Sequence, residues 1–225
     1  MKKVCSGTGI IPVIKSSNDT YYFVLFKSII RKNYSINPIE DAGGKYEGNS
    51  IKLSAIRELK EESCLLFNLE NIQEKESILQ LNRILTDFSF ANENSRDYYV
   101  SHFVYLENKS SGYFDFETLR NDYINNLKNF WKTGFSVYTE NKDIVFIPIE
   151  AIKDIKSEYI KDYTGIEHLL YKRTYQIFGN LNKNYDINDF INKLIEKPII
   201  LDRIELDNYK YSKENITNLI CYDTK

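Results

Sequence analysis

Apolar and polar positions fall into two kinds of repeat along this chain. Val4–Ile14 and Tyr21–Ile30 are runs of β-branched and aromatic residues, parted by the turn-forming Ser16-Ser17-Asn18-Asp19, and read as strands. Asp41-Ala42-Gly43-Gly44 interrupts the pattern. Ile51–Ser63 then takes helical spacing. Tyr98–Leu106 carries apolar side chains on both faces, the mark of a central strand covered from both sides. Phe116–Trp131 repeats Leu119, Tyr123, Leu127 and Phe130 at helical intervals, so it reads as a helix, with Trp131 as core or as a substrate lid. Ile144–Ile149 is a short buried strand. Helices are predicted over Thr164–Phe178 and over Asp186–Glu196, the latter capped by Asp186. The segment from Pro198 onward shows no clear period. Interleaved helices and strands give an α/β class, a sheet sandwiched by helices.

With 225 residues, 42% hydrophobic and 28% charged, the chain can bury a substantial core as one large domain or two small ones. A net charge of −2 leaves nucleic-acid binding dependent on a local basic patch, such as the lysines of 153–161. No apolar run approaches the roughly 18 residues that span a bilayer, so no membrane partner is expected. The start, Met1-Lys2-Lys3-Val4-Cys5-Ser6-Gly7, lacks the sustained apolar stretch of a secretory signal. Cys5, Cys64 and Cys221 are few, odd in number and far apart, as free thiols in a reducing cytoplasmic (intracellular) setting would be. With His102 and His168 they do not form a four-ligand zinc pattern unless scattered residues converge. His102 reads as a sheet or core histidine, and His168 as packing or surface.

Candidate chemistry concentrates in the stretch from Gly43-Gly44-Lys45-Tyr46-Glu47-Gly48-Asn49-Ser50 through Ile51-Lys52-Leu53-Ser54-Ala55-Ile56-Arg57-Glu58-Leu59-Lys60-Glu61-Glu62-Ser63-Cys64-Leu65. Asn49 or Ser50 can cap the helix. Ile51, Leu53, Ala55, Ile56 and Leu59 spread over a broad apolar side. Glu58, Glu61 and Glu62 border that side at i,i+3 and i,i+4 spacing, where like charges repel. A hard divalent cation such as Mg²⁺ would relieve that repulsion. A plain solvated acidic face with an Arg57–Glu61 bridge is the alternative. Two glycines ahead of the helix favour a ligand, because they permit positive φ and close backbone approach.

This segment resembles the Nudix box: Gly, five residues, Glu, seven residues, then Arg-Glu-aliphatic-x-Glu-Glu-x-Gly-aliphatic. Gly43, Arg57, Glu58, Leu59, Glu61, Glu62 and Leu65 match. Asn49 stands where the first Glu is expected, and Cys64 where the late Gly is expected. An alternative register begins the box at Gly44. The departures remove a charge that would support Arg57, for which Glu47 is a nearby replacement, and place a thiol where left-handed geometry favours Gly.

The resemblance implies a Nudix-like α/β/α sandwich with a mixed sheet, a helical insertion and a helical C-terminal region. It covers about 4–180 loosely and 43–65 specifically, and implies a domain over 1–180 with insertions at about 67–95 and 109–133. Residues 181–225 would then form a helical extension packed on the same domain. It implies a hydrolase that cleaves the pyrophosphate of a nucleoside diphosphate linked to another moiety. Mg²⁺, or Mn²⁺ in its place, would be held by Glu58, Glu61 and Glu62. Arg57 would orient a glutamate, and Gly43 and Gly44 would give substrate backbone contact. Glu58 or a loop carboxylate would serve as general base, with Glu140 the first choice and Asp143 the second. The partner would be a small-molecule nucleotide derivative, and many relatives are homodimers. Two other readings stay open. One is an mRNA-decapping type of the same fold, with nucleic acid as partner. The other is a degenerate Nudix-fold module that binds a nucleotide or a protein without catalysis.

Overall fold

The computed structural model describes residues 4–29, 35–46, 48, 50–69, 79–80, 84–85, 97–134, 138–153 and 155–201. Their order is β1 (Val4–Lys15), β2 (Tyr21–Ser28), β3 (Ile39–Glu40), β4 (Ala42–Lys45), α1 (Ile51–Glu62), β5 (Leu79–Gln80), β6 (Ile84–Leu85), β7 (Asp97–Asn108), α2 (Phe116–Thr133), β8 (Asn141–Pro148), a 3₁₀ turn (Ile149–Ile152), β9 (Tyr159–Lys161), β10 (Glu167–Leu169), α3 (Lys172–Asn184), α4 (Ile187–Ile195) and β11 (Ile199–Leu201).

The main sheet is mixed. β1 runs parallel to β7, and β11 runs parallel to the far edge of β7. β1 and β2 are antiparallel at Val13–Lys15 and Tyr21–Phe23, and β8 lies antiparallel on β2. Beyond that pairing the sheet forks. β3 pairs with β2 and β4 pairs with β1, so Asp41 sits between the two arms.

Alternation along the strands assigns each face. Ile10, Ile14, Val24, Phe26, Val104, Leu106 and Phe146 pack with Ala55, Ile56 and Leu59 of α1 and Leu119, Tyr123, Leu127 and Phe130 of α2. Ile11, Val13, Phe23, Leu25, Phe103, Tyr105, Val145 and Ile147 pack with Ile177, Phe178 and Leu181 of α3 and Phe190, Ile191 and Leu194 of α4. The class is therefore α/β with helices on both faces. The boundary drawn at residue 180 falls inside α3.

Local chemistry sets the helix ends. Asp115 caps α2 by accepting from Thr118 N–H, and Gly134 ends it in the left-handed conformation. Asp186 caps α4 through Asn188 and Asp189 N–H, as its sequence position predicts.

Several expectations are corrected. Thr164–Phe178 is not one helix. The chain first makes a β9–β10 hairpin whose turn is built by Asp162, which accepts from Thr164 N–H, Thr164 Oγ1 and Ile166 N–H, with Gly165 at φ 86°. His168 closes this hairpin 2.8 Å from Asp162. Trp131 is 61% exposed and Leu53 45% exposed, so neither joins the core. Ile199–Leu201 extends the sheet past Pro198. Asn49, Glu47, Cys221, Ile30, most of the 67–95 insertion and everything after 201 lie outside the described residues. Among the described residues no helix is long and apolar enough to cross a membrane.

Candidate functional site

Helix α1 lies across β1 and β4, with Ala55, Ile56 and Leu59 fully buried. That docking turns Glu58 and Glu62 inward, to 9% and 7% exposure, and leaves Glu61 half-buried. The Arg57 guanidinium spans two of the carboxylates, 2.5 Å from Glu58 Oε1 and 2.7 Å from Glu61 Oε2. Burial pushes the Glu58 carboxyl up to about 7, Arg57 works against that rise, and Glu61 and Glu140 add to it.

Glu62 faces the glycine strand. Gly43 N–H donates to Glu62 Oε1 at 3.1 Å, and Asn141 Nδ2 donates to Oε2 at 2.9 Å. Burial, and then the Glu40 charge, hold the Glu62 carboxyl well above the usual carboxylate range.

Gly43 and Gly44 are in strand conformation and do not take positive φ. Their smallness serves close approach instead. A Cβ on Gly44 would collide with the Glu58 carboxylate, and one on Gly43 would collide with the Tyr99 hydroxyl and the backbone of Thr8 and Gly9.

The helix ends in a Schellman turn: Cys64 N–H bonds Glu61 O and Leu65 N–H bonds Lys60 O. Cys64 and Leu65 take φ 53° and 64°. The turn expected of Gly is thus made by two residues that bear side chains. Neighbours secure it. The Cys64 thiol donates to Tyr138 O at 3.1 Å, and Asn126 Nδ2 donates to Cys64 O at 2.9 Å. Burial pushes this thiol up to about 12, so it is not a thiolate at neutral pH.

Of the candidate bases, Glu140 is exposed, just ahead of β8 and close enough to Glu58 to raise its pKa. Asp143 is engaged elsewhere, held by Arg120 at 2.8 and 2.5 Å while accepting from Ile144 N–H. His102 is fully buried on β7, with Nδ1 3.1 Å from Gly9 O, and burial lowers it to about 4.

Sequence reasoning missed a second set of residues at the fork. Asp41 is fully buried. It accepts from Tyr99 OH at 2.6 Å, Thr174 Oγ1 at 3.0 Å and Arg173 Nε at 3.0 Å. Arg173 also reaches Glu40 Oε2 at 3.4 Å and Gly43 O at 3.3 Å. Burial opposes the Arg173 charge, but Asp41, Tyr99 and Glu40 outweigh it and hold its pKa well above the ordinary value. No local pattern marked this set: Glu40 and Asp41 stand at a break in the apolar pattern, just ahead of Gly43-Gly44.

Among the described residues no group of three or more His, Cys, Asp or Glu side chains is arranged to hold a metal ion. The donor types nonetheless suit a hard divalent cation. Glu58 and Glu61 already converge on one positive charge, the Arg57 guanidinium, and a carboxylate offers more lone pairs than the two contacts of Glu62 use.

No family model matches the sequence, and no curated protein matches it. Solved structures do. A MutT/Nudix family protein from Enterococcus faecalis aligns at TM-score 0.48 and 13% identity, over 81% of this chain and 62% of that one. The chain thus spans less than two thirds of that protein. The Nudix domain of Shewanella oneidensis NrtR, solved with ADP-ribose, aligns at 0.43 and 8%, covering 81% and 89%. RenU, a Nudix hydrolase from M. smegmatis, aligns at 0.46 and 8%, covering 81% and 86%.

Proposed function

We propose that this chain is a Nudix-type hydrolase that cleaves the pyrophosphate of a nucleoside diphosphate linked to another moiety, inside the cell. The observation that carries the reading is the Arg57-Glu58-Leu59-Lys60-Glu61-Glu62 run on a helix docked against Gly43-Gly44, with Glu58 pressed on one glycine and Glu62 bonded to the other. Glu58, Glu61 and Glu62 would hold Mg²⁺, or Mn²⁺ in its place. Bound there, the ion would neutralise phosphate oxygens and acidify the attacking water.

The chain's own groups divide the remaining work. Gly43 and Gly44 let the Glu62 and Glu58 carboxylates close against the glycine strand, which holds them in place beside the helix. Glu140, exposed and near Glu58, takes the proton from water. Glu58 is the alternative acceptor. Arg57 orients Glu58 and Glu61.

The test is phosphate release with Mg²⁺ from ADP-ribose, NADH, diadenosine polyphosphates, nucleotide sugars, dNTPs and capped RNA, beside Glu61→Gln and Glu140→Gln. Metal-dependent cleavage is expected, falling by orders of magnitude in Glu61→Gln and by about 10²-fold or more in Glu140→Gln. Near-normal turnover in Glu61→Gln overturns the metal assignment.

One observation favours a second reading. Arg57 neutralises both Glu58 and Glu61 internally, which suits a module that binds a nucleotide without cleaving it. Silence across the panel, together with absent Mg²⁺ binding, would select it.

A further inference from the structure

Arg173 stands where α3 meets the glycine strand, 130 residues from Gly43, and the proposed chemistry does not otherwise use it. Its side chain is only 13% exposed. Nε donates to Asp41 Oδ1 at 3.0 Å, and Nη2 lies within 3.3–3.5 Å of Gly43 O, Glu40 Oε2 and Asp41 O. The guanidinium also stacks over the Tyr99 ring at 4.7 Å and near Tyr171 at 5.4 Å.

Gly43 is the shared point of two clamps. Its carbonyl accepts from Arg173, and its N–H donates to Glu62 on α1. Tyr99 forms a third wall, with its hydroxyl against Gly43 and bonded to Asp41. Thr174, the next residue on α3, also grips Asp41: its hydroxyl donates to Oδ1 and accepts from Asp41 N–H at 3.2 Å, without touching Gly43.

We infer that Arg173 is a positioning residue for the site on α1. Through Gly43 it fixes the glycine strand, so that the Gly43 N–H stays on Glu62 and Gly44 stays against Glu58. The catalytic consequence rests on the hydrolase reading, while the structural one does not. A guanidinium suits the position because one planar fork meets backbone and carboxylate acceptors while lying flat on an aromatic ring. An ammonium presents a point charge and cannot do both.

The experiment is amide hydrogen exchange of Gly43 by NMR in the unsubstituted protein, Arg173→Lys and Thr174→Val, with the slowest amides of β7 as an internal measure of global stability. In Arg173→Lys, Gly43 exchange is expected to rise at least tenfold relative to that reference. On whichever substrate the panel identifies, kcat falls while KM changes little. Thr174→Val loosens α3 at Asp41 but keeps the guanidinium, and should leave Gly43 within about threefold of the reference.

Gly43 exchange that only tracks the reference in Arg173→Lys overturns the positioning role. So does a Thr174→Val response as large as that of Arg173→Lys, because general docking of α3 would then explain it. Should Arg173→Lys not fold, the unsubstituted protein decides. Protected Arg173 Nη2–H protons with cross-peaks to Gly43 support the role, and a solvent-averaged signal overturns it. A full exchange response in a protein that cleaves nothing supports the positioning role and overturns the hydrolase reading.

Discussion

Glu58→Gln should make this protein more stable at alkaline pH, although Glu58 is a proposed functional residue. Folding carries its carboxyl from the ordinary 4.5 to about 7, chiefly through burial between α1 and the glycine strand. The sign follows from proton counts. Between those two values the folded chain holds a proton that the unfolded chain has released, so stability declines as pH rises from 4.5 and the loss is complete above 7. At about 1.4 kcal/mol per pH unit, the whole interval is worth about 3 kcal/mol.

A glutamine of the same shape escapes that cost and can still accept from Arg57. The variant should therefore match the parent near pH 4 and exceed it by about 3 kcal/mol at pH 8. For a chain of this length that is about 6 °C in Tm. The assay is paired thermal or urea unfolding of parent and variant across pH 4–8 in chelator, read as a difference so that other titrating groups cancel. Adding Mg²⁺ at pH 8 should then narrow the gap if Glu58 coordinates it. A gap that stays constant with pH, or a variant less stable at pH 8, would refute the reasoning.

Three further outcomes follow from the same geometry. His102 is lowered from 6.5 to about 4, so its contribution is intact above pH 6.5 and disappears as pH falls toward 4, an acid limb of about 3 kcal/mol that His102→Gln should flatten in urea titrations. At position 64, with φ 53°, Gly should be more stable than Ala by about 1 kcal/mol in chemical denaturation, and an Ala variant at least as stable would sink the left-handed assignment. Phe178→Ala, whose ring lies 5.1 Å from that of Phe23 in the core, should cost about 3–5 kcal/mol, whereas exposed Trp131→Ala should stay within about 0.5 kcal/mol in the same melts.

Helix α1 was legible because its signal is local. Ala55, Ile56 and Leu59 recur at helical spacing, and the carboxylates fall at fixed offsets from them. Strands β1, β2 and β7 were legible for the same reason, through runs of β-branched and aromatic residues. The β9–β10 hairpin was misread because Ile166, Leu169 and Leu170 fit a helical stripe. Asp162 and Gly165 carried the turn signal, and it outranks so short a stripe. The fork network was not legible at all. Asp41 meets Tyr99 at a separation of 58 residues and Thr174 at 133, and no local period records such pairings. Trp131 failed for a different reason. It lies on the solvent face of α2 with Lys128, while Leu127 and Phe130 on the adjoining face are buried, so adjacency to an apolar stripe does not place it in the core.

The pairing of β1 with β7 bears on how this chain comes into being. Thr8 bonds the backbone of Val100, 92 residues later, while the other neighbours of β1 follow within forty residues of chain. During synthesis the Ile10-Ile11-Pro12-Val13-Ile14 segment therefore emerges long before its parallel partner. Until β7 arrives, one side of a strongly apolar strand presents open N–H and C=O groups, a template for pairing with any other extended chain nearby. Closing so long a loop also makes parallel pairing slow. Fragments that stop before β7 should consequently collect in aggregates, and the intact chain should gain more from a slow, dilute, cool expression regime than its ordinary composition suggests.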